Sequence, residues 1–204
     1  MAVIEYFYSA HSAFAWLGHA RLREIAAEQG RTILHRPVLL DPLLAAAGSV
    51  AFRDRAEGHV SYYFGREIAR WAEERGKPRW VRPMPTHHRA PYAFANQALI
   101  AAQDRGEDVD ALAEAFLSGH WADDADLSDR EVLAALIASA GLDAPALLTA
   151  AEAPAIAAQH EANTAEAVER SVFGSPTYFV DGDMFYGQDR LEMVARACAR
   201  AYAA

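Results

Sequence analysis

Three short stretches of this chain hold residues whose types and spacing suit chemistry. In "FYSAHSAFAWLG", residues 7–18, Ser12 stands where a β-rich segment gives way to a helical one. A hydroxyl there lies beside unpaired backbone N–H groups and the positive end of the helix dipole. A thiolate held at the same place would be stabilised and its thiol pKa lowered. An ordinary N-cap serine fits too, and on the turn alone it is the better reading. In "FGSPT", Pro176 precedes a strand. A cis bond there would expose the backbone of Ser175 to an added peptide strand; a trans proline opening an edge strand is the alternative. In "YGQDRL", Gly187 allows close approach, and Gln188 and Asp189 open the last helix. Helix N–H groups suit a carboxylate and Asp189 an ammonium, the two ends of an amino-acid head group. By itself Asp189 is better read as the N-cap.

These residues need elements to position them. "VIEYFYS" is β-rich and mostly apolar, a strand buried on both faces. A helix follows from the Ser12 cap with its stripe at Leu17, Leu22 and Ile25, closed by Gly30. "TILHRPVLL" is the next strand, ended by Asp41-Pro42, and the βαβ opening implies a parallel pair. From about Leu43 to about Ala167 the chain is alanine-rich and helical, with one stripe at Val60, Phe64, Ile68 and Trp71 and another at Val109, Leu112 and Phe116. Ser128 to Glu131, "SDRE", reads as a capping box. "TYFVDGDMFYG" is a hairpin with a type I′ turn at Asp181-Gly182, and a last helix runs from about Asp189. The order β-α-β, helical block, β-β-α predicts an α/β, thioredoxin-like fold with a large all-helical insertion. Its thioredoxin-like domain would be residues 1–42 and 168–204, and its helical insertion domain residues 43–167.

Composition narrows the partners. The 204 residues are 52% hydrophobic and 23% charged, enough for a real core, and the net charge of −9 disfavours nucleic acid. A basic spot remains at Arg82 to Arg89. The single cysteine, Cys198, allows neither an internal disulfide nor a CxxC pair, and is expected to be a small buried hydrophobe. The opening has no basic region before an apolar run, and no apolar stretch approaches a bilayer span, so no membrane association and a cytoplasmic location are expected. His11 beside Ser12 suits acid–base work or a surface turn equally well. His87, His88 and Arg89 suit a substrate carboxylate, but more often form a solvated loop. Trp71, Trp80 and Tyr63 suit an aromatic pocket, but at helical spacing more often core. Asp123, Asp124 and Asp126 lack the glycine and terminal glutamate of a calcium loop, and no metal site is expected.

Taken together, "IEYFYSAHSAFAWLG", "RPVLLDPLLAAAGS", "EIARWAEERGKP", "HWADDADLSDREVL" and above all "VFGSPTYFVDGDMFYGQDRL" carry a resemblance over nearly the whole chain. The sequence resembles the family of 2-hydroxychromene-2-carboxylate isomerases, which is related to kappa-class glutathione transferases and more distantly to the DsbA-type disulfide oxidoreductases. The resemblance implies a glutathione cofactor. Ser12 would be the catalytic serine hydrogen-bonding the glutathione thiol, where the disulfide-exchange relatives have their first cysteine. Ser175 would pair through its backbone with the cysteinyl unit, Pro176 would be the cis proline, and Gln188 and Asp189 would hold the γ-glutamyl head group.

Three positions depart from the family pattern. Its usual proline after the serine is Ala13, the asparagine after Gly48 is Ser49, and a lysine of the isomerases is Leu44. Ser49 takes the place of a polar group that would help hold glutathione or an anionic substrate. The implied reaction interconverts 2-hydroxychromene-2-carboxylate and trans-o-hydroxybenzylidenepyruvate in aromatic catabolism. The glutathione thiolate adds to the conjugated system, the bond rotates, and elimination restores the thiol. A kappa-like glutathione transferase and a non-catalytic thioredoxin-like binding module are the alternatives. Dithiol exchange is excluded at this turn, where Ser12 and Ala15 occupy the redox positions. The resemblance also implies a small aromatic carboxylate as substrate and a homodimer.

Overall fold

The computed structural model describes residues 2–50 and 54–203. Strand β1 (Val3–Tyr8) leads into helix α1 (Ala13–Glu28), then β2 (Thr32–Pro37) and α2 (Leu40–Ala46). The helical block follows: α3 (Glu57–Val60), a π-helical stretch at Ser61–Glu67, α4 (Ile68–Glu74), α5 (Ala93–Asp104), α6 (Val109–Asp123), α7 (Arg130–Ser139), α8 (Ala144–Ala151) and α9 (Pro154–Glu169). The chain ends in β3 (Thr177–Val180), β4 (Asp183–Tyr186), a 3₁₀ turn at Gln188–Arg190 and α10 (Leu191–Ala199). The sheet order is β2-β1-β3-β4. β1 and β2 run parallel, while β3 runs antiparallel to both β1 and β4. This is the thioredoxin-like α/β plan that the element order implies.

Alternation along β1 explains how the sheet is covered. Ile4, Tyr6 and Tyr8 point into a large core shared with α1, α5, α6 and α10, whereas Phe7 joins Val38, Leu43, Ala167, Val172 and Phe179 on the opposite face. Residues of the helical block, such as Leu99, Phe116, Leu133 and Leu147, belong to the same core as Tyr6, Trp16 and Tyr178. Asp181 and Gly182 both take positive φ, 52° and 91°, as a type I′ hairpin turn requires.

Several boundaries differ from the pattern reading. β2 ends at Pro37, and Asp41 and Pro42 lie inside α2. A proline in the first helical turn loses no intrahelical bond, and an aspartate there complements the dipole, so the pair opens a helix. The cap of α7 is Asp129, not Ser128: its carboxylate accepts from the N–H groups of Glu131 and Val132, while the Ser128 hydroxyl turns back to Asp126. The last helix starts after a 3₁₀ turn, at Leu191. Cys198 is half-buried in α10.

Under β1 and β3, Arg170 at the end of α9 joins the sheet face to the helices. Its guanidinium grips Glu5 in a two-toothed fork, with both contacts 2.8 Å, donates to a third oxygen on Glu166, and lies 3.8 Å over the Phe179 ring. The Arg170 hydrogen bond holds the Glu5 carboxyl below the usual carboxylate range, against the opposing push of burial. With a depressed pKa, the contribution of Glu5 is complete above the unfolded value of about 4.3 and is lost as pH falls through the lowered one. Arg170→Ala is expected to cost about 1–3 kcal/mol at neutral pH and less in acid. Urea unfolding at pH 7 and pH 3 measures both; an equal cost at the two pH values contradicts the assignment.

Candidate functional site

The antiparallel register of β3 on β1 sets Phe7 opposite Thr177. The residues after β1 therefore meet those before β3, and this brings the first two chemical stretches together. Ser12 is the N-cap of α1, with φ −73° and ψ 124°, and its Oγ accepts from the Ala15 N–H at 3.3 Å. The same hydroxyl donates to the Ser175 carbonyl at 3.4 Å. The bond it donates is long, so the proton of Ser12 is held weakly and is free to turn to a stronger acceptor. The Ser175 hydroxyl accepts from the Ser9 N–H at 3.2 Å, and Ser175–Pro176 is a cis peptide. Among the described residues the Ser175 N–H has no partner. It is an open main-chain donor just ahead of β3, beside a carbonyl that holds only the weak Ser12 bond.

The turn that presents Ser12 is pinned from behind by the helical block. The Ala10 N–H donates to Asn96 Oδ1 at 2.9 Å, and the His11 carbonyl accepts from Trp121 Nε1 at 2.8 Å. His11 is not the surface residue of one sequence reading. It is buried, stacked on Tyr92 at 3.7 Å between ring centres, with its Nδ1 2.6 Å from Ser9 Oγ. His88 lies 4.9 Å from it and turns inward to His120, Nδ1 to Nε2 at 3.0 Å. His120 Nδ1 must donate to the Ala125 carbonyl, which leaves its Nε2 to accept from His88. Burial pushes the pKa of all three histidines down, well down for His11 and to about 4 for His88. They are neutral side chains at neutral pH. His87 points outward to Asp126. Among the described residues, no group of three His, Cys, Asp or Glu is placed to hold a metal ion.

The third stretch closes on the second. The Gly187 N–H donates to the Pro176 carbonyl at 2.9 Å, so the turn carrying Gln188 and Asp189 hangs from the cis proline. Gly187 has φ 98° and ψ 147°, and a Cβ there would lie 2.4 Å from Asp189 Oδ1. Only glycine suits that backbone, whereas the exposed Asp189 side chain can turn away from such a contact. The carboxylate of Asp189 is exposed and pairs with Arg190 at 2.6 Å. Gln188 does not share this outward position. Its side chain is buried, and Oε1 accepts from Arg75 Nε at 3.1 Å. The guanidinium occupies that oxygen from inside, and Gln188 Nε2 is buried with no hydrogen-bond partner among the described residues.

Ser49 stands apart. It is exposed beyond α2, and its N–H donates to the Leu44 carbonyl in the turn made by Gly48, a bond that ties it to its own loop rather than to the Ser12–Ser175 pair. Of the three aromatics considered, Trp71 packs on the core and Trp80 lies under Arg82, while Tyr63 comes to the site. Tyr63 packs 4.9 Å from Phe14, two residues past Ser12. Burial, with Tyr186 and the Asp189 charge nearby, pushes its hydroxyl pKa up. Phe14 and Tyr63 make an aromatic wall between the Ser12 and Asp189 ends. Arg75, Asn96 and Trp121 were not legible as site residues: each acts on a partner far along the chain, with Arg75 and Gln188 113 positions apart.

Strand order, the Ser12 cap and the cis proline define a thioredoxin-type scaffold. The chain belongs to the family of the DSBA-like thioredoxin domain, whose model matches residues 3–199. It is similar to 2-hydroxychromene-2-carboxylate isomerase of Sphingobium xenophagum, 28% identical over 195 residues that cover 94% of this chain and 95% of the relative. A solved 2-hydroxychromene-2-carboxylate isomerase superposes with a TM-score of 0.82 at 24% identity, covering 97% of this chain and 95% of its own. The cytosolic disulfide reductase DsbM from Pseudomonas aeruginosa, solved with GSH, superposes with a TM-score of 0.63 at 15% identity, covering 98% of this chain and 93% of its own. No helix of the described residues is long and apolar enough to cross a membrane.

Gly187→Ala is expected to cost more stability than Gly76→Ala. Gly76 also has positive φ, 63°, but open space around it, and alanine there should cost about 1 kcal/mol. At Gly187 the backbone, with φ 98° and ψ 147°, lies where only glycine is at ease, for a total of about 2–3 kcal/mol. Paired urea titrations measure the difference; equal costs would contradict the larger backbone strain assigned to Gly187.

Proposed function

We propose that this protein is a glutathione-dependent isomerase that interconverts 2-hydroxychromene-2-carboxylate and trans-o-hydroxybenzylidenepyruvate, or a close aromatic analogue. The observation that carries the reading is the weakly bonded Ser12 hydroxyl on the α1 N-terminus, set against the Ser175 backbone. The names of its relatives, and a GSH-bound protein of the same fold, support it.

The residues present fit the thiol, the cysteinyl main chain and the γ-glutamyl ammonium of glutathione. Bound there, glutathione supplies a nucleophilic thiol that the chain, with its one cysteine away in α10, does not supply itself. Ser12 donates its hydroxyl proton toward sulfur, and the dipole of α1 adds to the stabilisation of negative charge. The Ser175 N–H and carbonyl pair with the cysteinyl main chain as a short added strand. Asp189 accepts from the γ-glutamyl ammonium. The wall of Phe14 and Tyr63 faces the aromatic acceptor, and Ser49, on its exposed loop, stays available to a mobile end of the ligand. The three neutral histidines hold the turn and place no cation next to the thiol. The same reading takes the chain as a cytoplasmic homodimer, with residues 43–167 as the insertion that builds the acceptor side.

Calorimetric titration with glutathione tests the reading. Saturation below millimolar ligand is expected, and no binding at millimolar concentration would leave a non-catalytic binding module as the better account. Thiolate absorbance then locates the chemistry. The bound thiol should titrate below its free value in the wild type and rise by about one unit or more in Ser12→Ala, the scale of one lost charge-assisted hydrogen bond. An unchanged value removes Ser12 from this role. Assays of isomerisation against conjugation of electrophiles separate the isomerase from a kappa-like transferase.

A further inference from the structure

Gln188 poses a problem that the site alone does not solve: an amide side chain is sealed at 1% exposure inside a turn whose neighbour, Asp189, faces solvent. It lies hard against α1, where a Cβ on Gly18 would fall 2.7 Å from Gln188 Cβ. Its polar end meets Arg75, the residue that ends α4. Arg75 Nε donates to the Gln188 side-chain oxygen at 3.1 Å, and Arg75 Nη2 donates to the Gln188 main-chain oxygen at 3.2 Å. A guanidinium only donates, so the oxygen of the amide must face it. One rigid planar fork thus grips the side chain and the backbone of the same residue, which fixes both its rotamer and the orientation of its peptide. Among the described residues no carboxylate pairs with Arg75. Its face lies 5.3 Å over Trp71, which holds the cation in place from the helical block.

We propose that Arg75 is a positioning residue for the glutathione head group: it clamps Gln188, and through Gln188 the turn that aims the Asp189 carboxylate outward. This rests on the glutathione reading above. On its other side the turn is tied to the sheet through the Gly187 N–H and the Pro176 carbonyl. Asp189 is therefore held between a bond from the sheet and a fork from the helical block. Without the fork, the turn keeps the first tie and loses its rotation, and the carboxylate loses its aim.

The clamp acts at one end of the ligand only, and that makes it testable apart from general stability. Glutathione and cysteinylglycine, which lacks the γ-glutamyl group, are titrated into the wild type, Arg75→Ala and Arg75→Lys, with thiolate absorbance read at saturation. Arg75→Ala is expected to weaken glutathione about tenfold, the scale of one to two charged hydrogen bonds lost, and Arg75→Lys to recover part of it. Cysteinylglycine should bind wild type and variants alike, and the pKa of the bound thiol, set at the Ser12 end, should not move. Unchanged glutathione affinity in both variants, an equal loss for cysteinylglycine, or a shifted thiol pKa would each overturn the proposal. If Arg75→Ala does not fold, Arg75→Lys carries the comparison, with the same direction and a smaller loss. A wild type that binds cysteinylglycine but gains nothing from the γ-glutamyl group overturns the clamp while the thiol site stands, whereas a wild type that binds neither overturns the glutathione reading itself.

Discussion

The site depends first on the antiparallel pairing of β3 with β1. Because Phe7 faces Thr177, the end of one strand and the start of the other lie side by side, and Ser12 and Ser175 meet although 163 positions separate them. A parallel arrangement would send the proline turn to the opposite edge of the sheet. The buried tyrosines hold this pairing in register: Tyr6 stacks on Tyr178 across the strands at 5.4 Å and on Tyr8 at 4.0 Å. A slip of one residue would turn these rings from one core to the other and carry Ser175 away from the helix cap.

The Ser12 turn has local ties, the Ser12 N–H to the Ser9 carbonyl at 3.0 Å among them, and the helical block adds long-range ones. Asn96 and Trp121 bond the main chain of Ala10 and His11, and Tyr92 covers the His11 ring. Asn96 also donates to the Val38 carbonyl and reaches His160, so one buried amide joins α5, α9 and both strand ends. Such fully partnered polar groups resist rearrangement, since freeing any one leaves a buried donor or acceptor without a partner. The Ser12 turn is held by the block packed against it as well as by its own capping bonds.

That division explains what was legible in the sequence. The strands, the Ser12 cap, the Asp181-Gly182 hairpin and the proline turn are local signals, written in residues that act on near neighbours. The fold class followed from their order. The error at Ser128 was small, because Asp129 offers a stronger acceptor one position on, and the error at Asp41-Pro42 came from treating proline as a terminator where it opened α2. The inward turn of Gln188 and the burial of His11 were of another kind. Each is decided by a residue with no mark of its own in the sequence: Arg75 in a run of charges, Trp121 inside a helix, Tyr92 just ahead of one. Spacing carries no trace of such pairs.

The alanine after Ser12 then acquires a physical account. Proline is favoured at the first helical position because its φ is preset and its missing N–H would have no helical partner. A turn that relies on local stiffness gains from it. Here Ala13 occupies that position, and the preceding residues are instead fixed by Asn96 Oδ1 and Trp121 Nε1. Long-range ties do what a ring would do locally. At the other end of the groove, Arg75 holds the Asp189 turn from the same block. Both ends of the candidate site are thus tied to residues of the helical block.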